Sequence, residues 1–185
     1  MLRKVIHSLK RERGTLVYMR ELVVPAAADR VFRVVQGIGG QRGWMFANYL
    51  WRLRGNIDRW LGGVGMSRPR RDPDELCVGD VVDFWRVQAL RRDRFIRFAA
   101  EMKLPGKAWL QFEFVPEAAG ETRLRSSALF KPDGMWGLLY WLALYPAHVF
   151  LFSGMLRAIA AAAEAGLAGS HVIADPASDY SRSSL

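Results

Sequence analysis

Apolar and polar positions along this chain either alternate or recur at helical spacing, and the two periods divide it into a small set of elements. Residues 15 to 24, TLVYMRELVV, are rich in β-branched and aromatic residues and stop at Pro25, which predicts a strand. PAAADRVFRVVQGI then predicts a helix: Pro25 and Asp29 suit its beginning, Val31, Phe32, Val34 and Val35 lie within it, and GIGGQRG breaks it. The glycines of that break follow a helix instead of a strand and miss the GxGxxG spacing, so they read as punctuation and not as a phosphate loop. A second helix is expected through GWMFANYLWRLRGNIDRWLGG. It carries Trp44, Ala47 and Trp51 on one stripe and Leu50, Leu53, Ile57 and Trp60 on another, with Arg52, Arg54, Asp58 and Arg59 between them, which predicts a broad buried face.

After a polar loop, RPRRDPDEL, four segments separated by turn signals follow: GDVVDFWRVQAL, RFIRFAAEM, KAWLQFEFV and TRLRSSALF. They predict an antiparallel meander. Each short turn fixes which residues face each other across it. A two-residue turn at Arg92-Asp93 sets Trp85 opposite Ala100 and Asp83 opposite Met102. A three-residue LPG loop, with Gly106 supplying the positive φ, sets Ala100 opposite Leu110 and Phe98 opposite Phe112, and an AAG loop ending at Gly120 sets Phe112 opposite Ser126. The turns then agree on one apolar face: Val81, Asp83, Trp85 and Val87; Ile96, Phe98, Ala100 and Met102; Ala108, Leu110, Phe112 and Phe114; Leu124, Ser126, Ala128 and Phe130. The other face stacks Glu113 between Arg97 and Arg125 and sets Glu101 beside Trp109, a solvated ladder of cross-strand pairs.

Asp83 breaks the apolar face. A carboxylate there is costly unless a partner, a ligand or a raised pKa accompanies it, so Asp83 is a candidate functional residue. The alternative is a structural carboxylate bonded to backbone amides or to an arginine from the 52 to 71 region.

Residues 134 to 156, GMWGLLYWLALYPAHVFLFSGML, contain no Asp, Glu, Lys or Arg. The length suits a membrane span, and Trp136, Tyr140, Trp141 and Tyr145 suit an interfacial belt. Three features favour a buried helix of a soluble domain: four apolar strand faces need a cover, Pro146 and His148 fall mid-segment, and the segment continues into RAIAAAAEAG. The expected organisation is a basic extension over residues 1 to 14, one domain over 15 to 166, and a flexible polar tail over 167 to 185. The extension, MLRKVIHSLKRERG, has apolar residues at helical spacing and is expected as a solvated or a surface-lying amphipathic helix; it is not a secretory signal.

Composition narrows the picture. The 185 residues fit a single domain, and seven tryptophans call for a roomy interior or a partner. One cysteine, Cys77, excludes an intramolecular disulfide and a cysteine-built zinc site, and suits a reducing, cytoplasmic setting. His7, His148 and His171 stand in unrelated contexts, so no metal is expected. The net charge of +9 raises nucleic acid, acidic lipid or an anionic ligand as partners. No nucleic-acid-binding signature supports the first, whereas membrane-surface contact through the basic N-terminus stays open. RPRRDP has the charge to grip a phosphate.

A curved antiparallel sheet around a long C-terminal helix is the helix-grip arrangement, an α+β fold. The segments GWMFANYLWRLRGNIDRWLGGVGMSRPRRDPDELCVGDVVDFWRV, AEMKLPGKAWLQFEF and FKPDGMWGLLYWLALYPAHVFLFSGMLRAIA resemble an uncharacterised bacterial domain family of the START-like (SRPBCC, polyketide cyclase/dehydrase-like) superfamily, over about residues 15 to 164. In that family the domain often stands behind an NAD(P)-binding, short-chain-dehydrogenase-like module, which is not recognised in this sequence. The resemblance therefore implies a fold and a pocket, no cofactor of its own, and hydride chemistry only from a separate NAD(P)-binding oxidoreductase partner.

Two functions follow. In the first, an apolar cavity between the sheet and the last helix binds a hydrophobic or aromatic small molecule, with Trp44, Trp85, Ala100, Met102, Phe112, Ser126, Tyr140, Trp141 and Tyr145 around it. In the second, a cyclase, dehydratase or isomerase uses Asp83 and His148 to exchange protons with that ligand. A third reading anchors the protein in a membrane through residues 134 to 156.

Overall fold

Residues 6–39, 43–65 and 70–170 are described in the computed structural model of the chain. The predicted first strand is present as β2 (Thr15–Val24), but it is preceded by β1 (Ile6–Glu12), where the sequence predicts a helix. The two form a hairpin whose turn residues, Arg13 and Gly14, both have positive φ, the backbone that matches the twist of paired strands. β1 lies at the sheet edge, where an exposed charged sequence such as Lys10, Arg11 and Glu12 is tolerated and blocks further pairing.

Helix α1 (Ala28–Gln36) follows the alanine-rich start and buries Val31, Phe32 and Val35. Helix α2 (Asn48–Trp60) buries Trp51, Gly55 and Asp58. The predicted broad buried face of α2 is a narrow one: Leu53, Ile57 and Trp60 are exposed, and Asp58, expected among the solvated charges, is fully buried. Its carboxylate accepts from the backbone N–H of Gly65 at 2.9 Å and of Lys103 at 2.7 Å, so the acid ties the end of α2 to the 101–105 loop.

The meander comprises β3 (Val81–Val82), β4 (Trp85–Arg91), β5 (Phe95–Ala100), β6 (Gly106–Pro116) and β7 (Thr122–Pro132). Strand order across the antiparallel sheet is β1-β2-β7-β6-β5-β4-β3. The first meander segment is thus two strands, folded back on each other at Asp83-Phe84. Val82 pairs with Trp85, so Val82 and not Val81 shares the inner face. Trp85 does face Ala100, by a different route from the expected one: three residues connect Arg91 to Phe95, and a bulge between Val87 and Ala89 restores the register. The bulge turns Leu90 instead of Ala89 to the side of Ile96.

Phe112 faces Ser126 as expected. Between β5 and β6, however, the loop is five residues long and Phe98 faces Leu110, with Ile96 facing Phe112. The shift is by two residues, an even number, so the apolar face survives while the charge pairs change. Arg97 donates to Gln111 in place of Glu113 and Glu101 pairs with Arg86 in place of Trp109, whereas Glu113 keeps its expected pair with Arg125 at 3.1 Å. Gly106, with φ +149, opens β6 where any Cβ would lie 2.4 Å from the Lys131 carbonyl oxygen, so no other residue fits.

Helix α3 (Gly134–Ser170) packs on β7, β2 and α1, and the whole is a helix-grip α+β fold. Tyr145 meets Tyr18 edge to face at 5.6 Å, and Trp141 stacks on Phe130 at 5.4 Å. The sheet covers one side of this helix. Only 22% of its most apolar stretch is buried, and Met135, Trp136, Leu139, Leu142, Pro146 and Phe150 are exposed on the other side. Of the tail expected over residues 167 to 185, the first four continue α3 and the rest lie outside the described residues.

Candidate ligand-binding site

A cavity of about 240 Å³ lies between α2, α3 and the inner face of the sheet. Leu50, Trp51, Leu53, Arg54 and Ile57 of α2 form one wall, spaced by the helical repeat so that successive turns meet the same space. From α3 come Tyr140, Trp141, Leu144, Ala147, His148, Leu151 and Phe152, again positions three and four apart. Trp85, Ala108, Ala128 and Phe130 of the sheet close the third side, with Met102 and Leu104 of the 101–105 loop at its end. The small side chains Ala108, Ala128 and Ala147 leave the room; larger residues there would fill it. Leu53 is 54% exposed and Ile57 is 44% exposed, so the cavity opens to solvent along α2.

The lining is apolar with few polar groups. The indole N–H groups of Trp51, Trp85 and Trp141 are buried without a hydrogen-bond partner, and so is Nδ1 of His148. The His148 ring lies 4.6 Å from that of Trp141 and 5.8 Å from that of Phe152. Burial among these rings lowers its pKa to about 4, which keeps the imidazole neutral at physiological pH.

Of the residues singled out in sequence, Trp85, Met102, Tyr140, Trp141 and His148 come together around this cavity. Asp83, Trp44, Ala100, Phe112, Ser126 and Tyr145 do not line it. Asp83 occupies the β3–β4 turn with φ +55 and accepts from the indole N–H of Trp44 at 2.8 Å. Its pKa is raised by desolvation, against the opposing pull of the Trp44 bond and the Arg70 charge. Trp44 is fully buried and stacks on Trp51 at 4.5 Å, one layer behind the wall. Phe112 is fully buried, and Ser126 is buried opposite Arg20, which donates to the Tyr18 hydroxyl. Ala100 packs beside the core, and Tyr145 turns toward Tyr18.

The α2 wall was missed because Leu50, Leu53 and Ile57 read equally well as core. The helical spacing was visible; which element they face was not. The arginines of the 68–73 loop that lie within the described residues are engaged internally: Arg70 donates to the carbonyls of Ile38 and Glu75, and Arg71 makes a two-pronged pair with Asp80 at 3.1 Å. Among the described residues no cluster of His, Cys, Asp and Glu suits a metal ion.

Similar folds occur among solved structures. Norcoclaurine synthase from Thalictrum flavum, as a point mutant with a transition-state analogue, matches with TM-score 0.52 and 14% identity, over 86% of this chain and 98% of that one. A truncated form of the same enzyme matches with TM-score 0.50 and 14% identity, over 83% and 93%. CalU16 from Micromonospora echinospora matches with TM-score 0.43 and 11% identity, over 92% and 99%. At these identities the likeness is one of fold. Comparison with curated protein sequences gives no match. Residues 14–155 match the family described as protein of unknown function (DUF2867), and the chain belongs to that family.

Proposed function

We propose that this protein binds a hydrophobic, ring-bearing small molecule in the cavity between α2, α3 and the sheet. The observation that carries the reading is the cavity itself: about 240 Å³, apolar and open along α2. Its indole and tyrosine walls favour stacking and edge contacts with a planar ligand. The unpartnered indole N–H groups of Trp51, Trp85 and Trp141 favour a ligand that also bears acceptor oxygens, since pairing a buried donor relieves its desolvation cost. The solved enzymes of similar fold fit a ligand-binding or cyclase-like role.

Because four tryptophans, Trp51, Trp85, Trp109 and Trp141, line the cavity, binding is read directly from their emission. Titration with a neutral naphthyl probe, N-phenyl-1-naphthylamine, is expected to quench that emission saturably at one probe per chain. Linear, unsaturable quenching would contradict the proposal.

A second reading, proton transfer to or from the bound ligand in a cyclase, dehydratase or isomerase reaction, has one observation in its favour. His148 lines the cavity with Nδ1 unpartnered. Asp83 does not join it there, so in this reading the proton partner of His148 is the ligand.

A further inference from the structure

The cavity mouth is surrounded by large apolar side chains in water. On α2 and just beyond it, Leu53, Ile57, Trp60, Leu61 and Val64 form an exposed stripe in which Trp60 is 86% exposed. At the start of α3, Met135, Leu139, Leu142 and Trp136, itself 79% exposed, form a second. The 101–105 loop joins them. Its Lys103 N–H bonds Asp58 of α2 and its Lys103 carbonyl accepts from Arg54, while the Pro105 carbonyl accepts from Asp133 N–H at 3.0 Å. The Pro105 carbonyl also lies against Gly137. Both stripes therefore belong to the same end of the molecule, and Leu53 and Ile57 are at once part of the stripe and part of the cavity wall.

Such a surface is more apolar than a protein leaves exposed without a partner. Its surroundings indicate which partner. Exposed Arg52, Arg59, Lys103, Lys107 and Lys131 flank the stripes. Among the described residues of segments 48–65, 101–109 and 131–156, Asp133 is the only exposed carboxylate; Asp58 is buried, and Glu101 is half-buried against Arg86. Apolar residues and tryptophans set within basic charge complement a lipid surface whose headgroups are anionic and whose interior is apolar. Tryptophan favours that boundary in particular, having an apolar ring and one polar N–H.

We infer that the mouth of the cavity docks on an anionic phospholipid bilayer, with Trp60 and Trp136 seated at the headgroup level on the two sides of the 101–105 loop. The molecule lies on the membrane and does not cross it, because the opposite side of α3 is committed to β2, β7 and α1. Docking stands on the surface alone. Its use, the transfer of an apolar ligand between bilayer and cavity without passage through water, rests on the binding function proposed above.

The test is flotation of the full chain with vesicles of phosphatidylcholine alone and of phosphatidylcholine with about one-third phosphatidylglycerol. The wild type is expected to float with the anionic vesicles, to release them as salt is raised, and to bind the neutral ones more weakly. The double variant Trp60→Ser with Trp136→Ser, neither of them a cavity-lining residue, is expected to lose partitioning by about ten-fold or more. Its naphthyl probe binding should be unchanged. Absence of flotation in a wild type that still binds the probe overturns docking and leaves the cavity function standing; flotation without probe binding does the reverse. Equal flotation of wild type and double variant also overturns the inference. So does a concentration-dependent dimer, abolished by the double variant, in a protein that ignores vesicles, because the surface then belongs to a second copy.

Discussion

Asp83 combines two constraints at one position. Its φ of +55 favours Asp, Asn or Gly, and its carboxylate is the acceptor for the buried Trp44 indole. Asp83→Asn keeps the backbone preference and an acceptor oxygen, and is expected to change stability by less than about 1 kcal/mol. Asp83→Ala loses both, and a cost of about 2–4 kcal/mol is expected from an orphaned indole N–H plus left-handed strain. Urea denaturation of the two variants checks the difference; equal losses would contradict the role given to the Trp44 bond. His148 makes a separate prediction in pH. Folding holds its pKa near 4 against an ordinary 6.5, so between those values the unfolded chain binds a proton that the folded chain refuses. This part of the stability is constant above about pH 6.5 and falls as pH drops toward 4, by about 3 kcal/mol at most. His148→Phe should remove that part of the slope in denaturation midpoints measured at several pH values, and identical slopes in the two proteins would contradict it.

At the scale of elements, the cavity depends on where α2 and α3 are held. Gly137 lies in the first turn of α3 where a Cβ would meet the Pro105 carbonyl oxygen at 2.3 Å. Helix propensity alone would make Gly137→Ala stabilising by about 1 kcal/mol. Contact with a backbone oxygen should reverse the sign, giving a loss of about 1–3 kcal/mol in thermal or urea unfolding. A stabilised variant would show that the start of α3 is free of the loop. The strands that carry the core were legible because Leu124, Phe130, Leu110 and Phe112 alternate with polar neighbours, and a two-residue register error leaves that alternation intact. The β3–β4 turn was not legible. VVDFW carries no glycine, and although Asp tolerates the positive φ of the turn, the bond to Trp44 that holds Asp83 there comes from a distant part of the chain. Likewise, IHSLKRE has the charge of a solvated helix, and only its pairing with β2 makes it an edge strand.

For the molecule as a whole, the sequence contained the ingredients of a helix-grip fold but not the division of α3 between a sheet-facing and an exposed side. The run without charges from 134 to 156 suits a core helix and a surface-docking helix equally, since hydropathy counts residues and not neighbours. Half of the cavity followed from the strand register and the α3 stripe, which placed Trp85, Trp141 and His148. The other half comes from α2, whose position is set by the buried Asp58 and its bonds across to Gly65 and Lys103. That long-range capping has no local signature. A carboxylate in a helix rich in arginine looks solvated until the loop that covers it is in place.

The central claim is that the space beside Ala147 is a binding site. Ala147 is half-buried on the α3 wall, and a tryptophan there fills the cavity without replacing any residue of the fully buried core. Titration of wild type and Ala147→Trp with N-phenyl-1-naphthylamine, at matched folding by circular dichroism and thermal unfolding, is the direct measurement. One saturable site in the wild type, weakened about ten-fold or more in Ala147→Trp, is the expected result; equal affinity in two folded proteins would contradict the account.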